Sequence, residues 1–543
     1  MFGRVVDSIL GLPSRETHPV EVYRDLEIRM PDGAVLLADR HRPRGRGRSA
    51  VVLIRTPYGR RSPPAWLWAN SFARHGIQVV VQSVRGTFGS GGEFWPFHQE
   101  TEDGLATLAW LREQPWCDGR VATAGASYVG YTQWALGPYA DPPLAAICPA
   151  ISCADFGSSF YPGGALSLDN ALTWAALIGS QEDVALRGLL RYPRQQARTR
   201  RSMAHLPLGE ADHAAIDKPV RFWQDVTAHA GGEDGFWAPI DHRPALKTLT
   251  TPTSMVTGWY DLFIREQLQD FRTLASAGGR VRITVGPWAH NDPGMFKAMV
   301  SDQVSWLSAH LLDDTTELFR ASVRLYLQHA DRWLECDEWP PAEAKPTRLH
   351  LHPGGRLRWF APTTDGAPDM FTYDAADPTP SVGGPLLAGK TKQRDNRVVE
   401  ARPDVLVYTS DPLERDLDVV GELRACIQLR TDPGNADLFV RLCDVDGRGV
   451  SRNVCDGIVR LRPDDTAHAA GRAVEVEMLP TAYRFRRGHR LRIQVAGGAF
   501  PRFARNHGTG EPVAGAVSTG RIHHRVFRDQ GRPSYLELPV LAG

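Results

Sequence analysis

The chain has 543 residues, more than a single hydrophobic core organises, so two or three domains are expected. Its 63 basic residues nearly balance its 62 acidic residues, which argues against binding to nucleic acid or to an anionic membrane surface. Seven scattered cysteines without a C-x-x-C pair indicate neither a disulfide framework nor a zinc knuckle, and they favour a reduced, cytoplasmic protein.

Short runs of β-branched residues alternate with helix-like stretches in the first part of the chain. The runs are bounded by loops that contain glycine or proline, a pattern typical of buried parallel strands. Apolar residues at helical spacing predict a helix over 103–113. The predicted strands are 51–54, 77–82, 121–124, 253–257 and 281–285.

The pattern changes twice further along the chain. Helical stretches rich in Trp, Arg and Leu interrupt the alternation over 153–244, which predicts an inserted helical cap domain. Beyond Pro346, Pro, Gly and Asp become frequent and apolar residues alternate with polar ones, as in an antiparallel β-sandwich. We therefore predict an α/β hydrolase fold over 1–152 and 245–345, and a C-terminal all-β jelly-roll domain of the galactose-binding-like type over 346–543.

A glycine-rich turn follows the predicted strand 121–124. It reads Gly125-Ala126-Ser127-Tyr128-Val129-Gly130, a G-x-S-x-G pattern. The glycines leave no side chain to block a sharp reversal from strand to helix, so the serine hydroxyl stands exposed above the sheet. The turn therefore predicts Ser127 as a nucleophile.

A serine nucleophile needs a base within hydrogen-bond reach and a carboxylate to orient that base. Asp261 and His290 follow Ser127 in the order Ser, Asp, His that α/β hydrolases use, each after a predicted strand. On local sequence alone Asp261 could equally be a turn residue. The backbone N–H of Tyr128 is predicted to stabilise the oxyanion, and the Tyr58 hydroxyl is the candidate second donor. A packed core tyrosine is the alternative for Tyr58.

Motifs spread over nearly the whole chain match one family. They include Trp116-x-Asp118-Gly119-x-Val121, Gly258-Trp259-Tyr260-Asp261, Gly286-Pro287-Trp288-x-His290, Tyr373-Asp374-x-x-Asp377-Pro378 and Phe500-Pro501-Arg502-Phe503. Together they resemble the cocaine-esterase-like branch of the X-Pro dipeptidyl-peptidase and α-amino-acid ester hydrolase superfamily. The resemblance implies a three-domain serine hydrolase with Ser127, Asp261 and His290 as nucleophile, acid and base. It also implies the Tyr128 amide and the Tyr58 hydroxyl as oxyanion donors.

The residues after Asp261 differ from one branch of that superfamily. In the amino-acid ester hydrolases, acidic residues at this place help to bind the substrate ammonium, whereas Leu262 and Phe263 stand here. Apolar and aromatic residues instead predict an acyl pocket for a bulky uncharged group, with ordinary packing as the alternative. The candidate pocket residues are Phe160, Tyr161, Trp174 and Phe263.

The sequence thus predicts a cytoplasmic serine hydrolase that acylates Ser127 with a small carboxylic ester or amide. We expect no metal and no organic cofactor, and no nucleic-acid or membrane partner. An X-Pro dipeptidyl-peptidase and an α-amino-acid ester hydrolase or acylase are alternatives within the enzymes. A carbohydrate-binding protein on a hydrolase scaffold is the alternative from another class, since sandwich domains are shared with many lectins. The physiological substrate and homo-oligomerisation stay open.

Overall fold

The protein combines a mixed sheet flanked by helices with a second region made almost wholly of strands. The structure is a computed structural model that describes residues 12, 17–187, 192–230, 235–315, 321–462 and 471–541. None of the described helices combines the length and the apolar character that crossing a membrane would need.

The first sheet is parallel at its centre and antiparallel at its edges. Its strands are β1 (Val20–Arg29), β2 (Val35–Pro43), β3 (Ser49–Thr56), β4 (Gln78–Ser83), β5 (Cys117–Ala126), β6 (Ala146–Ala150), β7 (Thr253–Tyr260), β8 (Val281–Ala289), β9 (Val323–Leu327) and β10 (Arg332–Cys336). They lie side by side in the order β1-β2-β4-β3-β5-β6-β7-β8-β9-β10. The strands from β4 to β9 run parallel, while β1, β2 and β10 pair antiparallel with their neighbours. Each predicted strand overlaps one of these strands.

Helices cover both faces of this sheet and also fill one long insertion. They are α1 (Pro63–Arg74), α2 (Glu100–Glu113), α3 (Tyr128–Trp134), α4 (Phe156–Phe160), α5 (Leu168–Arg187), α6 (Tyr192–Ser202), α7 (Ala211–Ile216), α8 (Arg221–Ala228), α9 (Ile264–Ser276), α10 (Pro293–Leu311) and α11 (Arg397–Glu400). Short 3₁₀ helices span Gly137–Tyr139, Pro162–Gly164, Leu208–Glu210, Ala238–Ile240 and Arg243–Thr248. The predicted helix over 103–113 lies within α2.

Strand β3 shows why the central strands read as unbroken apolar runs. Val51 and Leu53 pack in one hydrophobic cluster with residues of α2 and α9, whereas Val52 and Ile54 pack in another with residues of α1 and α10. Successive side chains of a strand point to opposite faces, and here both faces are covered by helices. The carboxyl ends of the parallel strands are therefore brought to one edge, between two helical layers.

Helices α4 to α8 lie between β6 and β7, over the range where the sequence predicts an inserted cap. Their core is rich in aromatic rings, among them Phe160, Trp174 and Phe222. The same cluster includes Tyr128 and Phe263, which belong to the sheet-bearing part of the chain. The inserted helices are thus packed directly over the edge of the sheet that carries Ser127.

The C-terminal region is all-β among its described residues, apart from α11. Its strands pair mainly antiparallel around one large hydrophobic cluster. They are β11 (Ala344–His352), β12 (Arg356–Arg358), β13 (Asp369–Asp374), β14 (Val405–Thr409), β15 (Leu417–Gly421), β16 (Arg424–Asp432), β17 (Ala436–Val445), β18 (Ser451–Leu461), β19 (Arg472–Glu477), β20 (Thr481–Phe485), β21 (Arg490–Ala496), β22 (Arg521–Phe527) and β23 (Tyr535–Leu541). One of its loops reaches the sheet edge, where the Leu387 carbonyl accepts a hydrogen bond of 2.6 Å from Asn291.

Candidate active site

The turn between β5 and α3 holds Ser127 in a backbone conformation that residues other than glycine rarely adopt. Its φ is +58° and its ψ is −125°, which places a non-glycine residue in a strained region. A Cβ atom on Gly125 would lie 2.2 Å from Val129, and one on Gly130 would lie 2.4 Å from Ser152. Both glycines are therefore required by close packing, as the sequence pattern predicts.

Three side chains that are far apart in the chain meet at the carboxyl edge of the sheet. The Nε2 atom of His290 lies 3.1 Å from the Ser127 Oγ atom, and its Nδ1 atom lies 2.7 Å from Oδ2 of Asp261. Asp261 is fully buried, and its other oxygen accepts the Phe263 N–H at 2.9 Å. Both carboxylate oxygens are thus occupied, so the imidazole is held in one orientation towards the serine.

The phenol of Tyr58 faces the same serine. Its oxygen accepts a 3.0 Å hydrogen bond from the Trp174 indole N–H, and Tyr58 and Ser127 line the same two cavities. Burial raises the pKa of Tyr58 to about 12, which keeps the phenol neutral and able to donate. The neighbouring Gly59 has a φ of +87°, and a Cβ there would lie 2.9 Å from Phe88. The tight loop therefore fixes where the hydroxyl points.

A buried network links this loop to Tyr128, the residue after the nucleophile. The Tyr128 hydroxyl donates to Glu100 at 2.7 Å and accepts the Phe97 N–H at 2.9 Å. Glu100 forms an ion pair of 2.9 Å with Arg55, which lies three residues before Tyr58 on β3. Burial raises the pKa of Glu100, while Arg55 and the Tyr128 hydroxyl oppose that rise. One buried pair thus supports both segments that face the serine hydroxyl.

The ion pair between Arg55 and Glu100 is not among the features that the sequence motifs predict. Arg55 directly follows the apolar run of β3, and a charged residue in a strand buried on both faces needs a partner. A charged residue at this position of the strand was the available signal for a supporting ion pair. It could not identify Glu100, because the partner lies 45 residues away on another element.

The larger of two cavities at the serine has a volume of about 760 Å³. It is lined by α5, α6 and the loop that carries Leu387, and it reaches both Ser127 and His290. Asp169, at the start of α5, lines it with only 6% of its surface exposed, and its Oδ1 atom has no hydrogen-bond partner among the described residues. Burial raises the pKa of Asp169 to about 6. This cavity therefore contains a buried carboxyl group that has one oxygen without a hydrogen-bond partner among the described residues, and the Arg200 side chain lines the same cavity.

The four side chains predicted to form an acyl pocket fall into two groups. Trp174 lines the larger cavity, but Phe160, Tyr161 and Phe263 are not among the residues that line either cavity. The Phe160 ring lies 5.0 Å from that of Phe222, and the Tyr161 hydroxyl donates to a backbone carbonyl of α8. Phe263 meets the His290 ring edge-on at 5.8 Å. Phe160 and Phe263 are buried in the aromatic cluster of the inserted helices, and the partly buried Tyr161 packs against it.

The fold and the serine turn at the carboxyl edge of its sheet define a protein of the hydrolase class. The sequence model of one protein family, X-Pro dipeptidyl-peptidase (S15 family), matches residues 32–292. The sequence model of a second, the X-Pro dipeptidyl-peptidase C-terminal non-catalytic domain, matches residues 320–537. Cocaine esterase of Rhodococcus sp. (strain MB1 Bresler) is 32% identical over 581 aligned residues, which cover 96% of this chain and 98% of that protein. The chain therefore belongs to the cocaine-esterase-like serine hydrolases of the X-Pro dipeptidyl-peptidase superfamily.

Two solved structures share the complete fold. An aminopeptidase from the marine sediment archaeon Thaumarchaeota archaeon superimposes with a TM-score of 0.80 at 24% identity, over 98% of this chain and 99% of that one. An α-amino acid ester hydrolase superimposes with a TM-score of 0.80 at 21% identity, over 98% of both chains. The hydrolase-like region and the all-β region thus occur together in these relatives.

Proposed function

We propose that the chain cleaves small carboxylic esters or amides through an acyl-enzyme on Ser127. The observation that carries this proposal is the pair of contacts made by His290, one with the Ser127 hydroxyl and one with buried Asp261. This is the geometry that lets an imidazole take a proton from a serine.

In the proposed reaction, His290 removes the Ser127 proton as Oγ attacks the substrate carbonyl carbon. The oxyanion that forms is stabilised by the Tyr58 hydroxyl and the Tyr128 backbone N–H. Asp261 stabilises the imidazolium, which then protonates the departing alcohol or amine. A water molecule, deprotonated by His290, hydrolyses the acyl-enzyme and restores the serine.

One observation favours a second candidate, an amino-ester hydrolase or acylase. The carboxyl group of Asp169 lines the larger cavity and has an oxygen without a hydrogen-bond partner among the described residues, so a substrate ammonium would have an acceptor there. The position differs from the acidic residues expected after Asp261, where Leu262 and Phe263 stand. We retain the simple ester or amide as the first candidate, because the apolar residues near the serine favour an uncharged acyl group.

We also propose that the helices over 153–244 act as a cap, since α5 and α6 line the larger cavity above Ser127. The hydrolase part would then comprise 1–152 and 245–345, and the C-terminal region over 346–543 would be a jelly roll. The packing of the inserted helices on Tyr128 supports the cap. A cytoplasmic location and the carbohydrate-binding alternative stay predictions.

Parallel assays separate these functions. A p-nitrophenyl ester, an Ala-Pro anilide and a β-lactam amide are offered to the wild type and to Ser127→Ala, and we expect the ester to be turned over fastest. Ser127→Ala should lose about 10⁶-fold in kcat. Ser152→Ala, which alters a buried serine whose hydroxyl has no partner among the described residues, is the control. Equal ester turnover by Ser127→Ala would refute the proposal, and a preference for the anilide would favour the dipeptidyl-peptidase.

A further inference from the structure

A second cavity reaches Ser127 and is lined by none of the inserted helices. It has a volume of about 360 Å³ and lies between α1 and α10. We propose that this cavity, the α1–α10 chamber, binds a compact apolar substituent of the substrate and so determines which esters are cleaved. The inference rests on the proposed function and adds a specificity site to it.

The chamber walls are mostly hydrocarbon. Trp68 of α1 and Met295, Phe296 and Met299 of α10 line it. The indole N–H of Trp68 donates to Gln303 at 3.0 Å, so the polar atom of this ring is already paired. Apolar walls of this kind favour a substituent that also has no polar groups.

Two polar side chains at the chamber have partners elsewhere in the protein. Asn291 donates its amide N–H to the Leu387 carbonyl, and Asp292 forms an ion pair with Lys392. The larger cavity differs, because the charged side chains of Asp169 and Arg200 line it. The two cavities therefore suit substituents of different polarity.

The geometry of acyl transfer requires space for two substituents beside Ser127, which matches the two cavities. The carbon attacked by Ser127 carries the oxyanion and two further substituents, the acyl chain and the leaving group. Both cavities are lined by Tyr58, Ser127 and His290, so they meet at the reacting atoms. We infer that one substituent enters the α1–α10 chamber and the other enters the larger cavity. The volume of the chamber is at the lower end of the range for ligand pockets, which limits it to a compact group.

Two alanines allow a matched test. Ala65 on α1 lines only the chamber and is 3% exposed, while Ala176 on α5 lines only the larger cavity and is 5% exposed. Ala65→Phe fills the chamber, and Ala176→Phe is the control. Each variant and the wild type are assayed with p-nitrophenyl alkanoates from acetyl to octanoyl, and with acetate esters of straight-chain alcohols from methyl to octyl.

We expect the wild-type kcat/KM to rise roughly fourfold per added methylene in one series until the chamber is full. A rise among the alkanoates places the acyl chain in the chamber, and a rise among the acetate esters places the alcohol there. Ala65→Phe should abolish the rise, while its kcat/KM for the shortest ester stays within about threefold of the wild-type value. Ala176→Phe should preserve the rise. Ala65→Leu, a smaller filling, should shorten the chain length at which the rise stops.

Two results would overturn the inference: no rise in either series for the wild type, or an unchanged rise in folded Ala65→Phe. If Ala65→Phe does not fold, an unchanged rise in Ala65→Leu overturns it instead. Labelling of the wild type by a fluorophosphonate separates this failure from failure of the proposed function. A protein that is labelled on Ser127 but shows no chain-length effect keeps its mechanism and loses only the chamber.

Discussion

Replacing Tyr58 by Phe tests the proposed oxyanion site while it keeps the aromatic ring. The Tyr58 oxygen accepts the Trp174 N–H, and its own phenolic proton is the group that the proposal assigns to the oxyanion. Because burial raises the Tyr58 pKa to about 12, that proton is present at neutral pH. Removal of one oxyanion donor costs about 10²–10³ in kcat, or about 3–4 kcal/mol of transition-state stabilisation.

Steady-state kinetics with p-nitrophenyl acetate measure this effect. We expect kcat of Tyr58→Phe to fall 10²–10³-fold with KM within about threefold, because the donated bond strengthens only in the transition state. Tyr408→Phe is the control, since it removes a buried hydroxyl that donates to Asp369 at 2.7 Å in the C-terminal region. A folded Tyr58→Phe enzyme with kcat within threefold of the wild type would refute this role.

Two further predictions concern the supports of the site. Tyr128→Phe removes a hydroxyl that donates to buried Glu100, so the free energy of unfolding should fall by about 1.5–3 kcal/mol in urea denaturation, and an unchanged value would contradict the network. Burial raises the pKa of Asp169 from 3.8 to about 6, so this carboxyl binds more protons in the folded protein than in the unfolded one. Its contribution to the free energy of unfolding therefore becomes progressively unfavourable as pH rises from about 4 to 6. In urea denaturation, the free energy of unfolding of Asp169→Asn should therefore exceed that of the wild type by about 3 kcal/mol at pH 7 and equal it at pH 3. A difference that does not change with pH would contradict this.

The sequence was sufficient for the parts of the site that depend on local chain geometry. Ser127, Asp261 and His290 each follow a strand that an apolar run predicts, and parallel strands end at a common edge. The spatial meeting of these residues is therefore expected from chain order alone. Their close approach in the structure fits that expectation.

The pocket residues could not be predicted in the same way. An aromatic residue in an inserted helix can face a cavity or a neighbouring ring, and the sequence does not distinguish the two. Trp174 lines the larger cavity, whereas Phe160 packs on Phe222. The α1–α10 chamber was missed for a related reason, because its walls come from helices more than 200 residues apart.

The proposed chemistry depends most on Ser127 being a nucleophile activated by His290. Mass-spectrometric mapping of the folded protein after reaction with a fluorophosphonate tests this directly. We expect one adduct, on the peptide that contains Ser127, and no adduct in Ser127→Ala. An adduct confined to another residue, or none on folded protein, would contradict the account.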